Sequence, residues 1–170
     1  RMQILEVINN PGSIRANYRA AKIAQFYAIY AIEEKEQAEY TRLALEYYRK
    51  IPAIEPHIIS GEMGILETYL RTNKEPPQQL IEQIIEKLPT AKIESELTVI
   101  FQSYGQCFIE LKCLLRANDF ARIKVALLSN QELRSGQKSS VLVSYAKYLD
   151  KYQGNTAAAI ATQVDALVED

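Results

Sequence analysis

Two cysteines, Cys107 and Cys113 in the stretch SYGQCFIELKC, and a single histidine, His57, are the residues of this 170-residue chain whose types most readily do chemistry. The cysteine spacing allows two geometries. If one helix runs unbroken through both, six residues separate them by about 9 Å along the axis. They are then beyond disulfide reach and remain reduced, mostly buried thiols. If the helix ends near Gln106, the same interval closes a compact loop that an oxidising compartment can bridge. A redox-active pair is disfavoured because the Cys-x-x-Cys spacing is absent. His57 directly follows Pro56, with no cysteine or second histidine nearby, so a structural zinc site is not expected.

Other catalytic signatures are missing. The chain contains no GxSxG, no GxxxxGK[ST] and no GxGxxG, hence no recognisable nucleophile elbow or phosphate-cradling loop. Glu33, Glu34, Glu36 and Glu39 crowd into EEKEQAE, where carboxylates favour the positive end of a following helix and solvate a turn. No catalytic residue, cofactor or metal is expected from this chain by itself. Recognition is the better-supported kind of activity.

Two surface features could carry recognition. Arg15, Arg19 and Lys22 follow i, i+4, i+7 spacing and share one face of a long helix, either as a solvated face or as a stripe for an acidic partner. Eleven tyrosines and no tryptophan occur, and Tyr27, Tyr30, Tyr40, Tyr47 and Tyr48 concentrate in the first helical hairpin. Their rings can fill the groove between helices or, with Tyr27 and Tyr30 on the surface, line a site for a peptide or glycan. Lys+Arg number 20 against 21 Asp+Glu, a net charge of −1, so general attraction to nucleic acid or anionic membrane is not expected.

These residues must be held by helices. Apolar positions recur with helical periodicity, as in AEYTRLALEYYRKI, where Tyr40, Leu43, Ala44, Tyr47, Tyr48 and Ile51 trace one face. Pro and Gly divide the chain into eight predicted helices: Ser13–Glu33, Glu36–Ile51, Pro56–Thr72, Pro76–Leu88, Ile93–Gln106, Leu115–Leu128, Ser139–Tyr152 and Thr156–Val168. Short links favour antiparallel neighbours. IAQFYAIYAI, the longest apolar run, is shorter than the about 20 residues of a membrane span and is expected to be a core helix. RMQILEVINN lacks the apolar segment and cleavage site of a signal peptide. A single all-α domain over residues 1–170 is expected, long enough to bury roughly two-thirds of its unfolded surface.

Two segments have the logic of tetratricopeptide units, in which small residues let paired helices approach and bulky ones fill the groove. Ala44, Tyr48, Ile51 and Pro56 match the spacing of the second helix and its closing proline, although Ile51 is large for its position. Ala146, Leu149, Gly154, Ala159 and Ala166 repeat the pattern near the end. SIRANY opening a long helix, GEMGIL in a Pro-led helix, Cys-x5-Cys before a helix ending ALLSN, and YAKYLDKYQGN before an Ala-rich helix together resemble a known family. It is the soluble tetratricopeptide-like region of bacterial polytopic envelope proteins similar to glycosyltransferases and O-antigen polymerases or ligases. The resemblance runs from Ser13 to Ala166.

That resemblance implies a TPR-like α-solenoid and a periplasmic or extracytoplasmic fragment of a larger protein. It also tips the cysteine pair towards a bridged turn, Cys107 to Cys113, and carries no catalytic residue onto this chain. The expected function is a non-catalytic scaffold for a protein, peptide or glycan partner. Two alternatives stand beside it: a cytosolic tetratricopeptide chaperone or adaptor holding an extended peptide, and an all-helical sensor of a small ligand.

Overall fold

A computed structural model describes residues 10–92 and 117–169. The predicted helix Ile93–Gln106 and both cysteines lie outside these residues. Among the described residues the protein is all-helical, with no β-strand and seven helices: α1 Ile14–Tyr30, α2 Glu34–Ile54, α3 Ser60–Arg71, α4 Gln78–Lys87, α5 Ala117–Leu128, α6 Ser135–Gln153 and α7 Thr156–Glu169. The chain divides into two compact units, Arg1–Leu80 and Ile81–Asp170, with the division inside α4. None of these helices is long and apolar enough to cross a membrane.

In the first unit, α1 packs on both α2 and α3, and α2 packs on α3. Ser13 caps α1 by accepting from the Ala16 N–H at 3.2 Å, satisfying one of the first-turn donors. Fully buried Asn17 ties the preceding turn down, donating from Nδ2 to the carbonyls of Pro11 and Ser13 at 2.8 and 2.9 Å. Beyond the cap, α1 buries a stripe of alanines at four-residue intervals, Ala16, Ala20, Ala24 and Ala28. Such a stripe lets neighbouring backbones approach closely, and Ala44, Tyr48 and Ile51 of α2 are completely buried.

The closest approach lies between α2 and α3. The sequence predicts that α2 ends at Ile51, before Pro52, but the helix continues to Ile54. Proline cannot donate to the carbonyl four residues back, leaving the Tyr48 oxygen without its usual helical partner. Gly61 sits against that oxygen and the proline ring. A Cβ there would lie 2.8 Å from the Tyr48 oxygen and 2.7 Å from Pro52 Cδ. One turn on, Gly64 faces the Tyr48 ring so closely that a Cβ would overlap it. The two glycines of GEMGIL thus form the seat of Tyr48. α3 itself starts at Ser60 rather than at Pro56, because Pro56 and His57 occupy the middle of a turn closed by Ile58 N–H to Glu55 O at 3.2 Å.

In the second unit, α5 packs on α6 and α6 on α7. Arg122 of α5 grips Glu82 of α4 with both guanidinium nitrogens, at 2.7 and 2.6 Å. Buried Asn130 donates to the carbonyls of Leu88 and Ala91 at 2.6 and 2.9 Å, closing the exit of α4. α6 starts at Ser135, four residues before its predicted start, with Gly136 inside its first turn. There the Gln137 side chain accepts from the Arg134 N–H at 2.9 Å and supports the helix entrance. Gly154 ends α6 in the left-handed region, φ 59°, and Ala146, Ala159 and Ala166 are buried along the α6–α7 hairpin.

Candidate partner-binding surface

The alanine stripe decides where the large residues of α1 go. With Ala24 and Ala28 turned inward, Phe26, Tyr27 and Tyr30 emerge on the outside, 58%, 52% and 68% exposed, and Ile32 follows at 98%. IAQFYAIYAI is thus a core helix on one face only. Its small side chains and Gln25 make the core contact, and its aromatic rings face solvent. The rings organise one another. Phe26 meets Tyr30 at a 4.7 Å centroid distance and Tyr27 edge-on at 6.0 Å, while Tyr27 stacks on Tyr40 of α2 at 5.2 Å with 28° between planes. The result is a preformed aromatic platform at the turn end of the α1–α2 hairpin.

Four carboxylates border the platform. Glu33 follows Ile32 in the turn, Glu34 and Glu36 lie in the first turn of α2, and Glu36 is one helical turn before Tyr40, with Glu39 beside it. All four are exposed, as is Lys35, and none of the four forms an ion pair among the described residues. The turn region therefore carries a local excess of negative charge beside exposed aromatic rings.

The basic candidates on the same helix are placed differently. Arg15 is exposed and Arg19 half-buried. Lys22 turns inward, its Nζ 2.6 Å from Glu67 Oε2 and 3.2 Å from Gln25 Oε1. Glu67, almost buried, also holds Arg71 Nε at 2.9 Å. Gln25 donates to Thr68 Oγ1 at 2.9 Å, and Thr68 donates to the Gly64 carbonyl at 2.7 Å. Lys22 thus belongs to a polar network joining α1 to α3.

Beside that network lies Tyr48, edge-on to Tyr18 at 5.9 Å. Among the described residues its buried hydroxyl has no hydrogen-bond partner. Burial holds the phenol well above its ordinary ionisation range, reinforced by the negative charge of Glu67 and by Tyr18, against the opposing effect of Arg71. A completely buried side chain cannot meet a substrate, so Tyr48 works as packing.

His57 is exposed in its turn. Among the described residues no group of three or more His, Cys, Asp or Glu side chains is arranged to hold a metal ion. In the second unit, α7 presents Ile160, Val164, Leu167 and Val168 to solvent.

Of the residues singled out from sequence, Tyr27, Tyr30 and Tyr40 come together on one surface, joined by Phe26. Phe26 was legible only through the alanine interval, which shows which side of the helix faces inward, while Ile32 lies beyond the end of α1. Comparison with known proteins adds no relative from which a role could be transferred: no protein-family model matches this chain, and neither does any curated protein or solved structure.

Proposed function

We propose that this chain is a non-catalytic, tetratricopeptide-like helical scaffold that binds a protein or peptide partner through the aromatic end of its first hairpin. The observation that carries the reading is the exposure of Phe26, Tyr27, Tyr30 and Ile32 on a hairpin whose core is completed by alanines without them. Exposed aromatics grouped on a rigid element are the usual anchors of binding surfaces. The tetratricopeptide-like part is supported by the burial of Ala44, Tyr48 and Ile51 at the motif's spacing, and by α1 touching both α2 and α3. The second motif's Ala146, Gly154, Ala159 and Ala166 lie at the α6–α7 hairpin and its turn.

Placement on the extracytoplasmic face of an envelope protein is part of the same proposal and rests on the family resemblance. It carries the Cys107–Cys113 bridge with it, and two free thiols on titration of unfolded, unreduced protein would contradict that part. The binding reading is tested by affinity capture with the immobilised chain and a Phe26→Ala/Tyr30→Ala variant matched in helical content. Partners retained by the parent chain and lost by the variant are expected. An identical set on both would contradict it.

A further inference from the structure

We infer that the partner segment docking on the aromatic end of α1 is cationic, an Arg-containing peptide with apolar anchors, an assignment that rests on the interaction reading above. The apolar surface provides the site and the charge around it selects the occupant. Phe26, Tyr27 and Tyr30 supply ring faces, and Ile32 extends the apolar area into the turn. A guanidinium stacks on such faces and, at the platform's edge, reaches carboxylates that accept both of its N–H edges. Glu33, Glu34, Glu36 and Glu39 stand there with no intramolecular ion pair among the described residues, with Lys35 among them and Arg42, one turn after Glu39, engaged by Glu46.

The molecule already pairs cations with rings elsewhere. Lys50 lies 4.8 Å from the centroid of Tyr47, and Lys124 lies 4.4 Å from that of Tyr145. Among the described residues no cation covers Phe26, Tyr27 or Tyr30 in this way, so their faces await one from outside. The same charges argue against the other occupants. A second copy placed face to face would set one group of carboxylates against another, and an anionic lipid surface would be repelled.

Three fluorescein-labelled peptides separate the components, measured by anisotropy at low and physiological salt: one alternating Arg and Leu, one alternating Glu and Leu, and one alternating Arg and Ser. The Arg/Leu peptide is expected to bind about tenfold more tightly than either control, because both anchoring and charge are needed. Phe26→Ala/Tyr30→Ala should abolish its binding without changing helical content. Glu36→Gln/Glu39→Gln should weaken it about threefold, with a larger effect at low salt.

If the Glu/Leu peptide binds as tightly as the Arg/Leu one and both are lost in the aromatic variant, the cationic assignment is overturned while the interaction reading stands. If the Arg/Leu peptide fails to bind, or binds parent and aromatic variant equally, the assignment is also overturned, and affinity capture decides the broader reading separately. Two further results would overturn the peptide as occupant: a dimer in sedimentation that Phe26→Ala removes, or binding to neutral phosphatidylcholine vesicles that the same change removes.

Discussion

Tyr48 and Tyr30 belong to the same hairpin, and their surroundings are opposite. Tyr48 lies on Gly64 with no exposed surface and a hydroxyl unpartnered among the described residues, while Tyr30 is two-thirds exposed and leans on Phe26. The difference comes from what faces them. α3 offers Gly64, whose missing Cβ accepts a whole ring, whereas α1 packs through a stripe of alanines that leaves Phe26, Tyr27 and Tyr30 on the outside. Where small residues lie decides which aromatics become structure and which become surface. The inner ring should therefore govern stability and the outer rings binding.

The largest effect should come from closing the seat of Tyr48. Gly64→Ala gains about 1 kcal/mol of helix propensity but forces a Cβ into a buried ring, at a cost of about 3 kcal/mol. A net loss of about 2 kcal/mol is expected in urea unfolding. In a Tyr48→Leu background, where the ring is gone, the same change should cost less. Equal costs in both backgrounds would show that the glycine serves something other than the ring.

Next is the polar network linking α1 to α3. Glu67→Gln removes the charge that Lys22 and Arg71 both contact, and a loss of about 1.5 kcal/mol is expected, because the carboxylate is buried and its partners are only partly solvated. A change indistinguishable from zero would place these ion pairs with ordinary surface pairs.

A smaller effect at neutral pH is expected for Tyr48→Phe, within about 1 kcal/mol of the parent, since the hydroxyl it removes has no partner among the described residues. The two proteins should separate in alkali. The folded phenol ionises well above 10.0, so the native state keeps a proton that the unfolded chain releases. Stability from this group is fully present below about pH 10 and is lost as pH rises towards the folded value. Urea midpoints between about pH 8 and about pH 11 should therefore fall further for the parent than for Tyr48→Phe. Parallel curves would contradict the burial of Tyr48. The smallest stability change should come from the outer face: Phe26→Ala/Tyr30→Ala should alter the unfolding free energy by no more than about 0.5 kcal/mol.

Local patterns made much of this legible in the sequence. Ser13 announces α1, the positions of Ala44, Tyr48 and Ile51 mark the buried face of α2, and Gly154 stops α6. Features that depend on residues distant in sequence were not. The passage of α2 through Pro52 is accommodated by Gly61 on another helix, and the inward turn of Lys22 is set by Glu67, 45 positions away. Half of the candidate surface was visible as Tyr27 and Tyr30. Phe26 was hidden in an apolar run whose composition suggests burial, although its alanine interval contains the orientation.

Anisotropy titration of the alternating Arg/Leu peptide against folded Phe26→Ala/Tyr30→Ala protein tests the division between inner and outer aromatics most directly. Loss of binding at an unchanged urea midpoint is the predicted result. Retained affinity at that midpoint would contradict the account.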